Sequence, residues 1–373
     1  MLCLLLYYSL PPKGYPVKYS SKISLALLCL IQIVSLKAAV VGNGSTLSKD
    51  FLQQICQNYN IIHPTPGFKY LGTSGSGAGI TNLIARNIAF AGSDVPPTSQ
   101  QIDDGHAAGC DLLNIPIAVA GVSFGYNLPG YTLPLKLTAK NIADILTGKI
   151  LTWDDPAFFA LNPHLAPEVG RLAIKVVIRS DSSGSTGNIN QFLSSALGST
   201  VWPFSGTQAP TPIPPGFGNP NTVGRKGSTA VAQYINNNAG AFGYVGFDVI
   251  KKRSFPQVKS SSIQNKSGAF IAPTVQTIQN ALNAVGCVPT NLRISTINSP
   301  ASGAYPIASP TNIVICLCQQ SKNLASELQS FLTYVINEGQ SLAAPNFLAP
   351  INKNQRILQQ ARVIINRTRN CAQ

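Results

Sequence analysis

The sequence predicts an α/β protein built mainly on parallel sheet, and three observations carry that prediction. Short β-rich runs alternate with helical ones along most of the chain. Three of these alternations share one layout: an apolar run, a Gly/Ser/Thr turn, then residues apolar at helical spacing. The composition, 45% hydrophobic and only 11% charged over 373 residues, suits one large or two medium domains with substantial cores.

The elements follow in order. Lys13, Lys18 and Lys22 precede an apolar stretch from Ile23 to Val34, with Lys37-Ala38-Ala39 behind it. That is the basic, apolar and small-residue succession of a secretory signal, so residues 1–38 are expected to be removed. The stretch is short for a membrane span, and Leu28 ahead of Cys29 argues against a lipoprotein cleavage site. Val40-Val41 reads as a strand, Gly42-Asn43-Gly44-Ser45-Thr46 as a turn, and Leu47, Phe51, Leu52 and Ile55 as a helix face. The layout repeats with Phe68 to Leu71, the turn Gly72 to Gly79, and Ile80, Leu83, Ile84 and Ile88. Ala89 to Gly92 is a short strand ending at Ser93-Asp94, and Ile115 to Tyr126 is an apolar run interrupted by glycines. Lys140 to Leu146 reads as helix, Leu172 to Ile178 as a strand ending at Arg179, and Asn188 to Leu197 as helix. Residues 203–222 are rich in proline and glycine and read as an irregular loop. Beyond them come a helix over Val231 to Asn236, strands at Gly243 to Val245 and Ile313 to Cys316, and a helix over Ser326 to Ile336. No later segment is apolar enough to span a bilayer, so the mature chain is expected to be soluble.

The net charge is +14, and removal of residues 1–38 takes away four lysines and no acids, leaving +10. A basic surface suits anionic partners. The cations are dispersed apart from Lys251-Lys252-Arg253 and Arg367/Arg369, and aromatic residues are not interleaved with them, which argues against nucleic acid as a partner. Cys56, Cys110, Cys287, Cys316, Cys318 and Cys371 remain after the signal, an even number that in an exported chain predicts disulfides of unreadable pairing. Cys316-Leu317-Cys318 has no zinc or redox spacing, and His63, His106 and His164 lie far apart, so neither a metal nor a cofactor is expected.

The most informative stretch is Ser182-Ser183-Gly184-Ser185-Thr186, behind Arg179 and Asp181 and ahead of a helix. It combines a bidentate cation, several hydroxyls, a glycine permitting close backbone approach and a helix N-terminus, the parts that hold a desolvated tetrahedral oxyanion. The turns at 42–46 and 72–79 add free N–H groups at the positive ends of two more helices. No catalytic set competes with this. Gly121-Val122-Ser123-Phe124-Gly125 matches a hydrolase nucleophile pattern, but a turn follows it where that motif needs a helix. Gly75 to Gly79 lacks the third glycine of a dinucleotide site, and Gly148-Lys149 lacks the upstream glycine of a P-loop. Trp153-Asp154-Asp155 reads as a surface turn, and Asn43, Asn265 and Asn366 begin glycosylation sequons.

Taken together, the segments GNGSTL (42–47), YLGTSGSGAGI (70–80), FAGSDVPPT (90–98), LTGKILTWDDPAFFALNPHL (146–165), RSDSSGST (179–186), GRKGS (224–228), AGAFGYV (239–245) and YPIASPTNIVI (305–315) resemble the periplasmic phosphate-binding proteins of phosphate ABC transporters. The resemblance runs from about Val41 to Arg362. It implies a type II periplasmic-binding fold, with two α/β lobes joined by a double-crossover hinge: residues 39–122 and 308–373 form lobe I and 123–307 lobe II. It implies a monomeric, non-enzymatic receptor, periplasmic or secreted, that delivers inorganic phosphate to a membrane permease. By motif, its phosphate shell comprises Thr46, the Leu47 main chain, Ser76, Asp94, Arg179, Asp181, Ser183, Gly184 and Ser185. The family often has an aromatic residue at the Leu47 position, where only an N–H is needed. Many relatives have Thr at the Ser185 position, and the hydroxyl is kept.

The chemistry of the shell stands on its own. Arg179 supplies a planar fork for two oxygens, and Asp181 fixes that fork. Asp94 is acceptable beside an anion only if the anion carries a proton to donate, which phosphate and arsenate do and sulfate does not. Two other readings remain open on the sequence alone. One is a secreted interaction, adhesion or phosphate-sensing protein; the other is a secreted phosphatase, for which no nucleophile–base pair is visible.

Overall fold

The computed structural model describes residues 38–165, 169, 171–208, 218–252 and 254–371. The signal segment, but for its last residue, and the middle of the Pro/Gly loop lie outside the described residues. Strands β1 (Val40–Gly44), β2 (Phe68–Tyr70), β3 (Phe90–Ser93) and β4 (Leu112–Tyr126) come first, followed by β5 (Lys136–Leu137), β6 (Lys175–Arg179), β7 (Val223–Arg225) and β8 (Ala241–Gly246). Then come β9 (Lys259–Ser260), β10 (Ser262–Gln264), β11 (Phe270–Ile271), β12 (Ala308–Cys316), β13 (Cys318–Gln319), β14 (Ala349–Pro350) and β15 (Arg369–Asn370). The main sheet runs β2-β1-β3-β12-β4-β8-β6-β7.

The flanks of this sheet are parallel, β1 with β2 and β3, and β6 with β7 and β8. Its centre is not. β12 runs antiparallel to both β3 and β4, and β4 runs antiparallel to β8. The expectation of mainly parallel sheet therefore holds on each side and fails in the middle. The cause is the path of the chain: β4 carries it out of the first half, and β12 brings it back beside β4 in the opposite direction. β4 pairs with β12 over Leu112–Gly121 and with β8 over Val122–Tyr126, so one continuous strand serves two α/β halves. All but its first residue are buried, the near-continuous apolar pattern of a strand covered on both faces. Tyr305 Oη donates to Val122 O at 2.9 Å, and Val122 N donates to Ile307 O at 2.9 Å, so the returning chain is fastened where β4 changes partner.

The helices behind the strands fold for local reasons. The Lys49–Ile62 helix buries Phe51, Leu52, Ile55, Cys56 and Tyr59 on one face. The Gly184–Leu197 helix is capped by Ser183, whose Oγ accepts from Thr186 N. Among the described residues no helix is long and apolar enough to cross a membrane.

The cysteine expectation is met in part. Cys110 pairs with Cys316 and Cys318 with Cys371, so the two sulfurs of the 316–318 segment face different partners. Cys56 and Cys287 are free. Cys56 faces the core from its helix and behaves as a small hydrophobe, while Cys287 is exposed. Ser123 of the hydrolase-like pattern lies within β4, fully buried, with its Oγ 2.6 Å from Ser260 Oγ. It stands on no strand-to-helix elbow. Asp155 caps the Pro156–Phe159 helix through Ala157 N at 2.9 Å, which accounts for one of the two adjacent acids at 154–155.

Candidate functional site

Four helix starts meet where the two halves face each other. Two belong to the Lys49–Ile62 and Ser76–Ile84 helices of the first half, and two to the Gly184–Leu197 and Ser228–Asn237 helices of the second. The Ser76–Ile84 and Ser228–Asn237 helices have glycine N-caps, Gly75 and Gly227, which lend no side chain to the first N–H groups. At the Ser228–Asn237 start Ser228 N donates to Thr46 Oγ1 at 3.2 Å, while the donors of the Ser76–Ile84 start remain available to a ligand, and the helix dipole favours a negative one. Gly75 is required twice over. Its φ of +82° lies in the left-handed region, and a Cβ there would sit 2.2 Å from Ser182 O of the opposite half.

Arg179 ends β6 and is 2% exposed. Its Nε donates to Asp181 Oδ1 at 2.6 Å and its Nη2 to Asp181 Oδ2 at 2.5 Å. This fork-to-carboxylate pairing fixes the guanidinium plane and leaves Nη1 and one Nη2 proton uncommitted to Asp181. Nη1 donates to Ser228 Oγ at 3.3 Å. Asp181 also accepts from Gly227 N at 3.1 Å, so one carboxylate orients both the arginine and the last of the four helix starts. Burial pushes the Asp181 carboxyl up, but hydrogen bonds and charge from Arg179, with the Gly227 N–H, outweigh it and hold the group below the usual carboxylate range.

Asp94, 2% exposed, follows β3. Its Oδ2 accepts from Ser45 Oγ and, at 3.5 Å, from Ser76 Oγ; its Oδ1 accepts from Thr311 Oγ1 at 3.0 Å. Its own N–H donates to Ser76 Oγ at 3.2 Å. Burial raises its carboxyl above the usual range, against the pull of Ser45, Thr311 and the Arg179 charge. Gly184 packs on this acid so closely that a Cβ there would lie 2.6 Å from Ser76 Oγ and 2.9 Å from Asp94 Cβ. Ser185 Oγ is buried and has no hydrogen-bond partner among the described residues. Such an orphaned hydroxyl at a helix start is costly unless a ligand satisfies it.

The structure brings the sequence-predicted residues Thr46, Ser76, Asp94, Arg179, Asp181, Ser183, Gly184 and Ser185 to this one junction. Leu47 differs in detail. Its side chain is core, and its N–H donates to Ser45 Oγ at 3.1 Å rather than standing free. Sequence reasoning passed over Ser45, Asn188, Gly227, Ser228 and Thr311. Gly227-Ser228 has the same glycine-then-hydroxyl layout ahead of a helix as the other turns, and that layout was the available signal. Asn188, whose Nδ2 donates to Asp94 O at 3.2 Å, and Thr311, inside β12, have no such local mark. Among the described residues no group of three or more His, Cys, Asp or Glu is placed to hold a metal.

Two α/β halves sharing a long strand, with a buried arginine and opposed helix starts between them, define a two-lobed binding protein of the periplasmic type. A family model described as the PBP superfamily domain matches residues 34–338. The phosphate-binding protein PstS of Methanocaldococcus jannaschii is 28% identical over 372 residues, covering 91% of this chain and 93% of the relative. PstS of Xylella fastidiosa (strain Temecula1) is 30% identical over 324 residues, 84% of this chain and 82% of the relative. In fold, the chain is similar to a phosphate-binding protein from Stenotrophomonas maltophilia (TM-score 0.67, 22% identity, 88% of this chain and 94% of that one). It is likewise similar to a high affinity periplasmic phosphate-binding protein solved with phosphate (TM-score 0.68, 18% identity, 87% and 93%). The chain belongs to the PBP superfamily and, within it, to the PstS family.

Proposed function

We propose that this protein binds inorganic phosphate between its two halves, outside the cytoplasm, and passes it to an ABC permease without chemical change. The observation that carries this reading is the presence of Asp94 beside Arg179 in one buried shell. Arg179, the hydroxyls of Thr46, Ser76, Ser183 and Ser185, and the N–H group at Gly184 serve an oxyanion; Asp181 holds the arginine. Asp94 Oδ2 already accepts from Ser45 and Ser76, but Oδ1 accepts only from Thr311 and keeps room for one more hydrogen bond, for which a protonated phosphate oxygen supplies the donor. A fully deprotonated anion meets repulsion there instead.

The lobe division proposed is residues 39–122 with 308–373 against 123–307, supported by the change of β4 partner between Gly121 and Val122. Anion contacts to both sides favour the closed arrangement, so the ligand itself stabilises closure. Delivery to a permease and a periplasmic or secreted location are supported by the PstS relatives, and a monomeric state belongs to the same proposal. Equilibrium dialysis with labelled phosphate, together with a chromogenic phosphate ester as substrate, tests the reading. One phosphate bound per chain with no ester turnover is expected; turnover by pure protein favours an enzyme instead, and binding of nothing favours an interaction protein.

A further inference from the structure

Behind the Ser45–Ser48 turn, on the opposite half, lies a carboxylate that the phosphate shell does not use. Asp248 follows β8 in the short Phe247–Lys251 helix and is 5% exposed. Its Oδ1 is buried without a hydrogen-bond partner among the described residues. The enclosing surface comes partly from the other half: a Cβ placed on Gly246 would lie 2.4 Å from Asp248 Oδ1 and 3.0 Å from Leu47 Cγ, so the carboxylate and the Leu47 side chain crowd the same spot. Phe247, the preceding residue, meets Phe347 of the first half edge-on at 6.0 Å between ring centroids. Separation of the halves would thus return Asp248 to water.

The charged groups around it do not neutralise it. Lys252, whose charge acts on Asp248, is engaged by Asp50 across the halves, with the Asp50 side chain 54% exposed. Lys251 of the same helix lies over the Phe247 ring instead, and Lys259 of β9 is exposed. Asp50 and Asp94 face Asp248 from the first half and add negative charge. β4, β8 and the Ser228–Asn237 helix, which pack on the same short helix, contain no Asp, Glu, Lys, Arg or His. A phosphate between Arg179 and Asp94 would add further negative charge on the same side.

We propose that closing the halves around the anion places a proton on Asp248, so that phosphate binding is coupled to proton uptake by a residue outside the binding shell. The proton comes from the buffer and forms one O–H bond; nothing is transferred to the phosphate. Burial, partly offset by Lys252 and the Val249 N–H and reinforced by Asp50 and Asp94, raises the closed-state carboxyl to about 7. In the open arrangement the group is hydrated and titrates in the ordinary carboxylate range. Closure therefore takes up a proton between that range and about pH 7, and affinity falls as pH rises through this window before levelling off.

The inference rests on the phosphate reading, and the test separates the two. Phosphate is titrated calorimetrically into the wild-type protein, Asp248→Asn and Asp248→Leu in buffers of different ionisation heat, which counts the protons bound. Phosphate's own ionisation is common to all three and cancels in the comparison. Wild type is expected to take up about one proton more than either variant near pH 6, about half near pH 7 and none near pH 8.5. Across that range its affinity relative to the variants falls by about tenfold per pH unit up to about pH 7. Equal proton counts overturn the inference while leaving phosphate binding intact; absence of phosphate heat in wild type at every pH overturns the phosphate reading itself. With phosphate bound, both variants should melt at or above wild type near pH 8, since each removes a charge that closure buries. Failure of both to fold also overturns the inference.

Discussion

Thr46 and Ser228 are 182 positions apart in sequence, yet their hydroxyl oxygens lie 3.2 Å apart, and Thr46 Oγ1 also accepts from Ser228 N at 3.2 Å. With Arg179 Nη1 donating to Ser228 Oγ, the two hydroxyls and the guanidinium form one chain of contacts across the halves. Removing the Ser228 hydroxyl costs a neutral and a charge-assisted contact. Ser228→Ala should weaken phosphate binding by about 1–3 kcal/mol, roughly 5- to 150-fold, with little change in the unfolding midpoint of the ligand-free protein. Calorimetric titration beside a thermal melt reads both quantities.

Arg179→Ala removes the charge that offsets the anion and leaves Asp181 buried without its partner. Loss of phosphate affinity by at least about 100-fold is expected. Arg179→Lys should restore little of it, because an ammonium cannot present the planar fork that Asp181 orients. Unchanged affinity in the alanine variant would contradict the site assignment.

Asp181 also sets a pH dependence of stability. Its carboxyl is held below its unfolded value, so its stabilisation is fully present above the ordinary carboxylate range. It is lost as pH falls through the lower folded value. Urea unfolding followed from about pH 7 to about pH 3 should show an acid-side decline in stability that is shallower in Asp181→Asn than in wild type. The asparagine variant should be less stable at neutral pH, since a buried ion pair has lost one member.

Asp94→Asn keeps the shape of the shell and exchanges an obligate acceptor for a group that can also donate. Sulfate then meets neither an unsatisfied carboxylate nor its charge. The ratio of phosphate to sulfate affinity is expected to fall by about one to two powers of ten, mostly through gained sulfate binding, because leaving a buried acceptor unpaired costs about 1–3 kcal/mol. Competition between the two anions measures that ratio directly.

Much of the site was legible because its chemistry is local. A glycine and a hydroxyl ahead of a helix announce an N-terminus with open donors wherever they fall, which is why the turns at 42–46, 72–79 and 182–186 could be read. Arg179 was legible as a cation at the end of an apolar strand. Thr311 was not, because it reaches Asp94 only through the antiparallel register of β12 on β3, with Asn312 opposite Ser93. The same limit applies to the sheet: strand residues look alike whichever way they run, so the reversed centre at β12 and β4 left no local trace. Cys110 and Cys316 meet because Cys316 of β12 is in register with Leu112 of β4, a pairing that spacing in the sequence cannot express.

The central claim is that the shell selects a tetrahedral oxyanion bearing a proton. Calorimetry of residues 39–373, stripped of ligand by reversible unfolding and titrated with phosphate and then with sulfate, tests it most directly. Tight binding of one phosphate per chain with no heat from sulfate is the predicted result. Equal binding of the two anions would contradict the role given to Asp94, and binding of neither would contradict the site.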